Sequence, residues 1–143
     1  INHFRVGETL YLGTDVYHNR TFKTMEHDVF QLNAEIIELI EKPKVPVGEF
    51  GENLKGEMKQ FDDAFADKSY RAIIDLGLLD IDENHIKIKN KKLKIVGASS
   101  DMLVIDLDEN EENYQVGDLL EFEMDYFGVL RIMNSKYIDK RVK

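Results

Sequence analysis

The sequence has no cysteine, only two prolines among 143 residues, and a shortage of basic residues, 19 Lys and Arg against 28 Asp and Glu. The missing cysteine excludes a disulfide framework, a thiolate nucleophile and any cysteine-ligated zinc or iron–sulfur centre, and makes a reducing cytoplasm the natural compartment. The net charge of −9 repels phosphate backbones and anionic lipid surfaces, which argues against nucleic acid as a partner. No apolar run approaches the roughly 20 residues of a membrane-spanning helix, and nothing at the start reads as a signal peptide. Also missing are a Gly-x-Ser-x-Gly elbow, a Walker loop and a dinucleotide-binding fingerprint.

What remains is a composition of 43% hydrophobic and 33% charged residues, that of an ordinary folded domain long enough to bury a core. The chain opens on Ile1 rather than methionine and runs at once into patterned sequence, which processing, a cloned fragment or missing upstream residues would each explain. Short patterned runs follow one another between Gly, Pro and Asp/Asn breaks, without an internal repeat. Residues 29–41 are ambiguous, because Phe30, Leu32, Ala34 and Ile36 alternate like a strand while the Glu-rich second half would suit a helix; we read them as one long, bent strand ended by Pro43 and Pro46. Residues 48–68 are acidic and Gly-punctuated, an extended loop with at most one helical turn. From there, residues 70–76, 86–88, 93–96, 102–107 and 119–126 read as successive strands, with 128–133 close enough to pair with the last. Seven or eight short strands with few helices predict a mainly β barrel or sandwich.

Several constellations carry less chemistry than they promise. Asp106-Leu107-Asp108-Glu109-Asn110 begins like a calcium loop, but Glu111 stands where the sharp turn needs glycine and Gly117 where the bidentate Glu belongs. An acidic, solvated turn explains it, and Asp80-Ile81-Asp82-Glu83-Asn84 is weaker still. His3, His18, His27 and His85 show no i, i+4 pairing beside a glutamate, so a zinc hydrolase site lacks support and metal ligation is not expected. Lys87, Lys89, Lys91, Lys92 and Lys94 form a local basic patch that alternation explains as the wet face of a strand.

One stretch is more specific. Phe4-Arg5-Val6-Gly7-Glu8-Thr9-Leu10-Tyr11-Leu12-Gly13 resembles the end of the pyridoxal-phosphate barrel in alanine racemase relatives, where an Arg-x-Gly segment precedes a Tyr-Gly or Leu-Gly pair. Ala34-Glu35-Ile36-Ile37, residues 71–80, Gly97-Ala98-Ser99-Ser100-Asp101, residues 114–118 and 126–140 then follow in the order of that family's carboxy-terminal β domain, across the whole chain. Gly-Ala-Ser-Ser-Asp and Ser135-Lys136-Tyr137-Ile138 are most similar to the ornithine racemase-like branch of predicted amino-acid racemases.

The resemblance implies a β-barrel-like carboxy-terminal domain over residues 14–143, preceded in residues 1–13 by the tail of an eight-stranded barrel. It implies pyridoxal phosphate as cofactor, a free amino acid as substrate, and a head-to-tail homodimer in which this domain completes the partner's site. Arg5 would face the pyridine nitrogen; its guanidinium stays protonated and donates, which keeps that nitrogen from full protonation and favours proton removal and return over decarboxylation or transamination. Gly7 and Glu8 correspond to positions whose backbone amides approach the phosphate, and Tyr126 to a tyrosine that reaches it. Ser100 and Asp101 fall where the substrate carboxylate is received, with Ser100 the direct contact and Asp101 either orienting neighbours or meeting a side-chain amine such as that of ornithine or lysine.

Two departures stand beside this. Leu78, in Gly77-Leu78-Leu79-Asp80, occupies the place of the tyrosine that is the second acid/base, and leucine does no proton chemistry. The cofactor-binding lysine belongs to the barrel upstream, so these 143 residues alone are expected to be inert. A non-catalytic β module, or a carrier of cofactor or amino acid, are the competing readings. An upstream barrel with its lysine separates the first from the others, and a chiral product assay separates racemase from carrier.

Overall fold

The computed structural model describes residues 2–45, 48, 51–52, 56 and 68–142. The expected loop over residues 48–68 therefore lies almost entirely outside the described residues. Eight strands and two helices are present among them: α1 (Glu8–Leu12), β1 (Thr14–Asp15), β2 (Arg20–Thr21), β3 (Leu32–Pro43), β4 (Lys68–Ile74), β5 (Ile86–Ile88), β6 (Lys94–Ala98), β7 (Leu103–Asp108), β8 (Leu119–Met124) and α2 (Tyr126–Asn134), with one 3₁₀ turn at Glu83–His85.

β1 and β2 form a small hairpin, while the other six strands make one sheet in the order β5-β8-β3-β4-β7-β6. Every pairing is antiparallel. Residues alternate in and out along the strands, so Leu32, Ala34 and Ile36 of β3, Ala72 and Ile74 of β4, Leu103, Ile105 and Leu107 of β7, and Leu120 and Phe122 of β8 share one buried face. Irregularities in register between Ile36 and Glu38, Tyr70 and Arg71, and Ile95 and Gly97 bend the strands around that face, as bulges do. The result is the barrel-like, mainly β domain that the sequence pattern predicts. β3 is the long strand expected, although it runs from Leu32 to Pro43 rather than over residues 29–41 and so includes the first of the two prolines.

Residues 128–133 are not a strand. They lie in α2, and β8 stops at Met124. The Asp125 side chain accepts the Gly128 amide at 2.9 Å, an N-cap that starts a helix. Gly128, Val129 and Ile132 then turn inward at helical spacing, and Ile132 joins the core. An apolar run this short does not distinguish strand from helix by periodicity. The cap is the deciding signal.

Outside the core, charge is locally matched. Arg71 meets Asp106 at 3.4 Å across the β4–β7 pair, and Lys44 meets Asp108 at 2.9 Å, which holds that carboxyl below its usual range. Thus two of the acids in the calcium-like run face cations. In the basic patch, Lys92 bonds Glu111 at 2.7 Å and Lys89 lies 3.4 Å from Glu121. The hydrogen bond from Lys92 to Glu111 raises the ammonium pKa.

Candidate functional site

The residues singled out by sequence fall into two groups. The first gathers where the amino-terminal segment meets α2. Gly7 precedes α1, and its carbonyl accepts the amides of Leu10 at 2.9 Å and Tyr11 at 3.3 Å. The Glu8 and Thr9 amides at the start of that turn have no intrahelical acceptor within reach. Tyr126, the first residue of α2, brings its hydroxyl against Gly7 across 119 residues of sequence. A Cβ added at Gly7 would lie 3.1 Å from that oxygen, tighter than a methyl group sits without displacing its neighbour. Backbone and phenol therefore face each other with no side chain between them, a close approach that glycine permits. The Glu8 carboxylate is engaged by the Thr14 hydroxyl at 3.2 Å. Arg5 is exposed, and no acceptor engages its guanidinium among the described residues.

The second group is built by the sheet. Beyond β4 the chain leaves through Gly77, and the Leu78 and Leu79 amides donate to the carbonyls of Ser99 (3.0 Å) and Ser100 (2.9 Å) in the turn between β6 and β7. Gly77 touches that turn so closely that a Cβ there would stand 2.3 Å from the Asp101 carbonyl carbon and 2.4 Å from the Ser100 oxygen. The turn is braced from within: the Ser99 hydroxyl donates to the Met102 carbonyl and accepts its amide, each at 3.1 Å. The Ser100 hydroxyl donates to the Asp101 carboxylate at 2.8 Å. With that proton committed to Asp101, the donors left for an incoming anion are the Ser100 and Asp101 backbone amides, which no acceptor takes among the described residues. Leu78 is half-buried beside this turn and Asp101 is exposed.

Between the 77–81 loop and α2 lies an open cavity of about 540 Å³, bordered by Leu79, Asp80, His85, Phe127, Arg131 and Ser135. The Ser135 hydroxyl donates to Asp80 at 2.6 Å, tying the end of α2 to the loop. No hydrogen bond among the described residues joins the two groups directly.

Sequence reading missed the pair His85 and Asp125, 2.8 Å apart at the start of α2. The available signal was Asp125 itself, an N-cap residue immediately before the apolar run that becomes the helix. It also missed the hairpin cluster of Asp15, His18 and Arg20, with contacts of 2.8 and 3.0 Å. Burial pushes the Asp15 carboxyl up, but the bonds from His18 and Arg20 outweigh it and leave the pKa lowered.

No family model matches the chain. It is 37% identical over 142 residues to ornithine racemase from Acetoanaerobium sticklandii, a match that takes in 99% of this chain and 40% of that protein. It is 36% identical over 140 residues to lysine racemase from Thermotoga maritima, taking in 98% of this chain and 39% of that protein. The chain therefore spans about two fifths of the length of these curated relatives. Among solved structures, alanine racemase from Acinetobacter baumannii aligns with 68% of this chain and 26% of its own at 23% identity and a TM-score of 0.42.

Proposed function

We propose, from the premise that this chain is the carboxy-terminal β domain of an alanine racemase-like amino-acid racemase, that it serves a pyridoxal-phosphate enzyme which removes and returns the α-proton of a free amino acid. The parent protein would carry a barrel upstream with the cofactor lysine, leaving residues 1–13 as that barrel's tail and residues 14–143 as this domain, inert alone. Full-length subunits would pair head to tail in the cytoplasm.

The observation that carries this reading is the tyrosine hydroxyl against a glycine backbone at Tyr126 and Gly7. A hydroxyl and main-chain amides with no side chain between them fit a phosphate group, and the Glu8 carboxylate accepts the Thr14 hydroxyl. The residues fit the group. Tyr126 and the amides of Gly7 and Glu8 would hold the phosphate, and Arg5 would donate to the ring nitrogen. Pyridoxal phosphate supplies the electron sink that acidifies the α-C–H of a bound amino acid.

The chain's other contribution is reception of substrate. The Ser100 and Asp101 amides would bind its carboxylate, and the Asp101 carboxylate would pair with a side-chain ammonium, which favours ornithine or lysine over alanine. Leu78 carries no ionisable group at the position that tyrosine usually fills, so the proton on that face would be handled by another residue. The same leucine is what favours the competing reading, a cofactor or amino-acid carrier without racemisation. Chiral separation of products after incubating the intact parent protein with L-ornithine, L-lysine and L-alanine decides the matter. D-ornithine or D-lysine is expected in excess over D-alanine, and Asp101→Asn is expected to reduce that preference by about tenfold, the worth of one charged hydrogen bond. An unchanged preference removes Asp101 from this role, and no D-product with cofactor bound supports the carrier.

A further inference from the structure

His85 and Asp125 belong to none of the roles above, yet they meet where α2 begins. The Asp125 carboxylate is divided between two donors: one oxygen caps the Gly128 amide at 2.9 Å, and the other faces His85 Nδ1 at 2.8 Å. The Asp125 amide in turn donates to the His85 carbonyl at 3.2 Å, so residues 85 and 125 are joined through both backbone and side chain. Gly128 packs onto the same carbonyl, where a Cβ would come within 2.6 Å, so a larger residue would lift the helix away. The imidazole also lies 5.4 Å from the Phe127 ring, itself 6.2 Å from Tyr126. Tyr126 directly follows the cap, so the angle at which Asp125 launches α2 sets where the phenol points.

We propose that His85 is a positioning residue for Tyr126: by donating from Nδ1 to Asp125 it fixes the helix start that aims the tyrosine hydroxyl at Gly7. This rests on the reading that Tyr126 and Gly7 hold a phosphate, but the clamp has a readout of its own. A lone capped helix leaves the second carboxylate oxygen to water and the helix start free to rotate; the imidazole removes that freedom, and either the neutral Nδ1–H form or the protonated ring can do so. Asp80, Arg131 and Ser135 border the cavity that His85 lines, while Asp125 is the acceptor the proposal uses.

The test compares His85→Leu and His85→Asn in the intact parent protein, because asparagine keeps a donor near the Nδ1 position and leucine does not. Affinity for pyridoxal phosphate is expected to fall about tenfold in His85→Leu, affinity for pyridoxal to stay level, and His85→Asn to remain within about twofold of the parent, as one directed hydrogen bond predicts. Hydrogen exchange at the Gly128 amide should accelerate in His85→Leu and not in His85→Asn. Equal losses for pyridoxal and pyridoxal phosphate, or leucine behaving like asparagine, overturn the proposal. If the parent protein binds pyridoxal phosphate no better than pyridoxal, the phosphate reading fails by itself and Gly128 exchange judges the clamp: unaltered exchange in His85→Leu overturns it. Should His85→Leu not fold, Asp125→Ser takes its place, since serine still caps Gly128 but has no second oxygen for His85. The same phosphate-specific loss is then expected, and its absence counts against the proposal.

Discussion

The six-stranded sheet and the segment before it are built on opposite principles. In the sheet, Ile36, Ile74, Leu103, Ile105 and Phe122 are fully enclosed and each strand finds an antiparallel neighbour. In the amino-terminal segment, α1 buries none of its five residues, and Phe4, Val6, Leu10, Tyr11, Val16 and Tyr17 are all more than half exposed. The sheet carries its own core; the segment displays large apolar groups that its own fold does not cover. In Phe4, Val6, Leu10 and Tyr11 that contrast fits the proposal that residues 1–13 belong to a barrel upstream, whereas Val16 and Tyr17 lie in the β1–β2 hairpin of the domain itself. It separates what keeps this domain folded from what would meet a cofactor: Gly7 lies on the weakly packed side, Tyr126 on the strongly packed one, and function would sit at their contact.

The largest effect expected from this contrast is in the core. Phe122→Ala, in β8 beside the central strand β3, should cost about 3–5 kcal/mol by denaturant unfolding, whereas Tyr17→Ser should stay within about 0.5 kcal/mol. Comparable losses at both positions would end the distinction between the two regions. A smaller but sharper effect is expected at Gly77. Gly77→Ala pushes a methyl group into the backbone of Ser100 and Asp101 and should destabilise by about 1–3 kcal/mol, as overpacking does. Its signature is a chemical-shift change confined to residues 99–102 at first, because that turn and not the core must move. The smallest effect concerns the hairpin. Asp15 has a lowered pKa in the folded chain, so its contribution is present above the unfolded carboxylate range and is lost as pH falls through the lower, folded value. Hydrogen exchange in residues 14–21 should therefore accelerate below about pH 4 before the sheet responds, and Asp15→Asn should abolish that difference.

Much of the sheet was legible because the first half of β3, β7 and β8 alternate with a period of two residues, which has one physical meaning when one face is buried. β3 shows this best: Leu32, Ala34 and Ile36 are buried and Asn33 and Glu35 exposed, as its letters suggest. The 128–133 run was not legible, since its fate depended on a cap at Asp125 that reading for apolar period overlooks. Strand order was not legible either, because β3 pairs with both β4 and β8, whose partners come from far along the chain. Of the candidate site, the residue types were visible through family resemblance, but no local pattern could reveal that Tyr126 meets Gly7 or that Gly77 presses on Asp101. Those are tertiary facts, and the His85–Asp125 bond spans 40 residues in the same way.

The most direct measurement is the binding of pyridoxal phosphate to the intact parent protein, read from the visible absorption band of the bound cofactor, for the natural sequence and for Gly7→Val. A side chain at position 7 meets the Tyr126 hydroxyl, so the account predicts a band in the natural protein and at least about tenfold weaker affinity in the variant, with the unfolding midpoint unchanged. A band of equal strength in both would contradict the assignment of Gly7 and Tyr126 to the phosphate, and no band in the folded natural protein would contradict the cofactor itself.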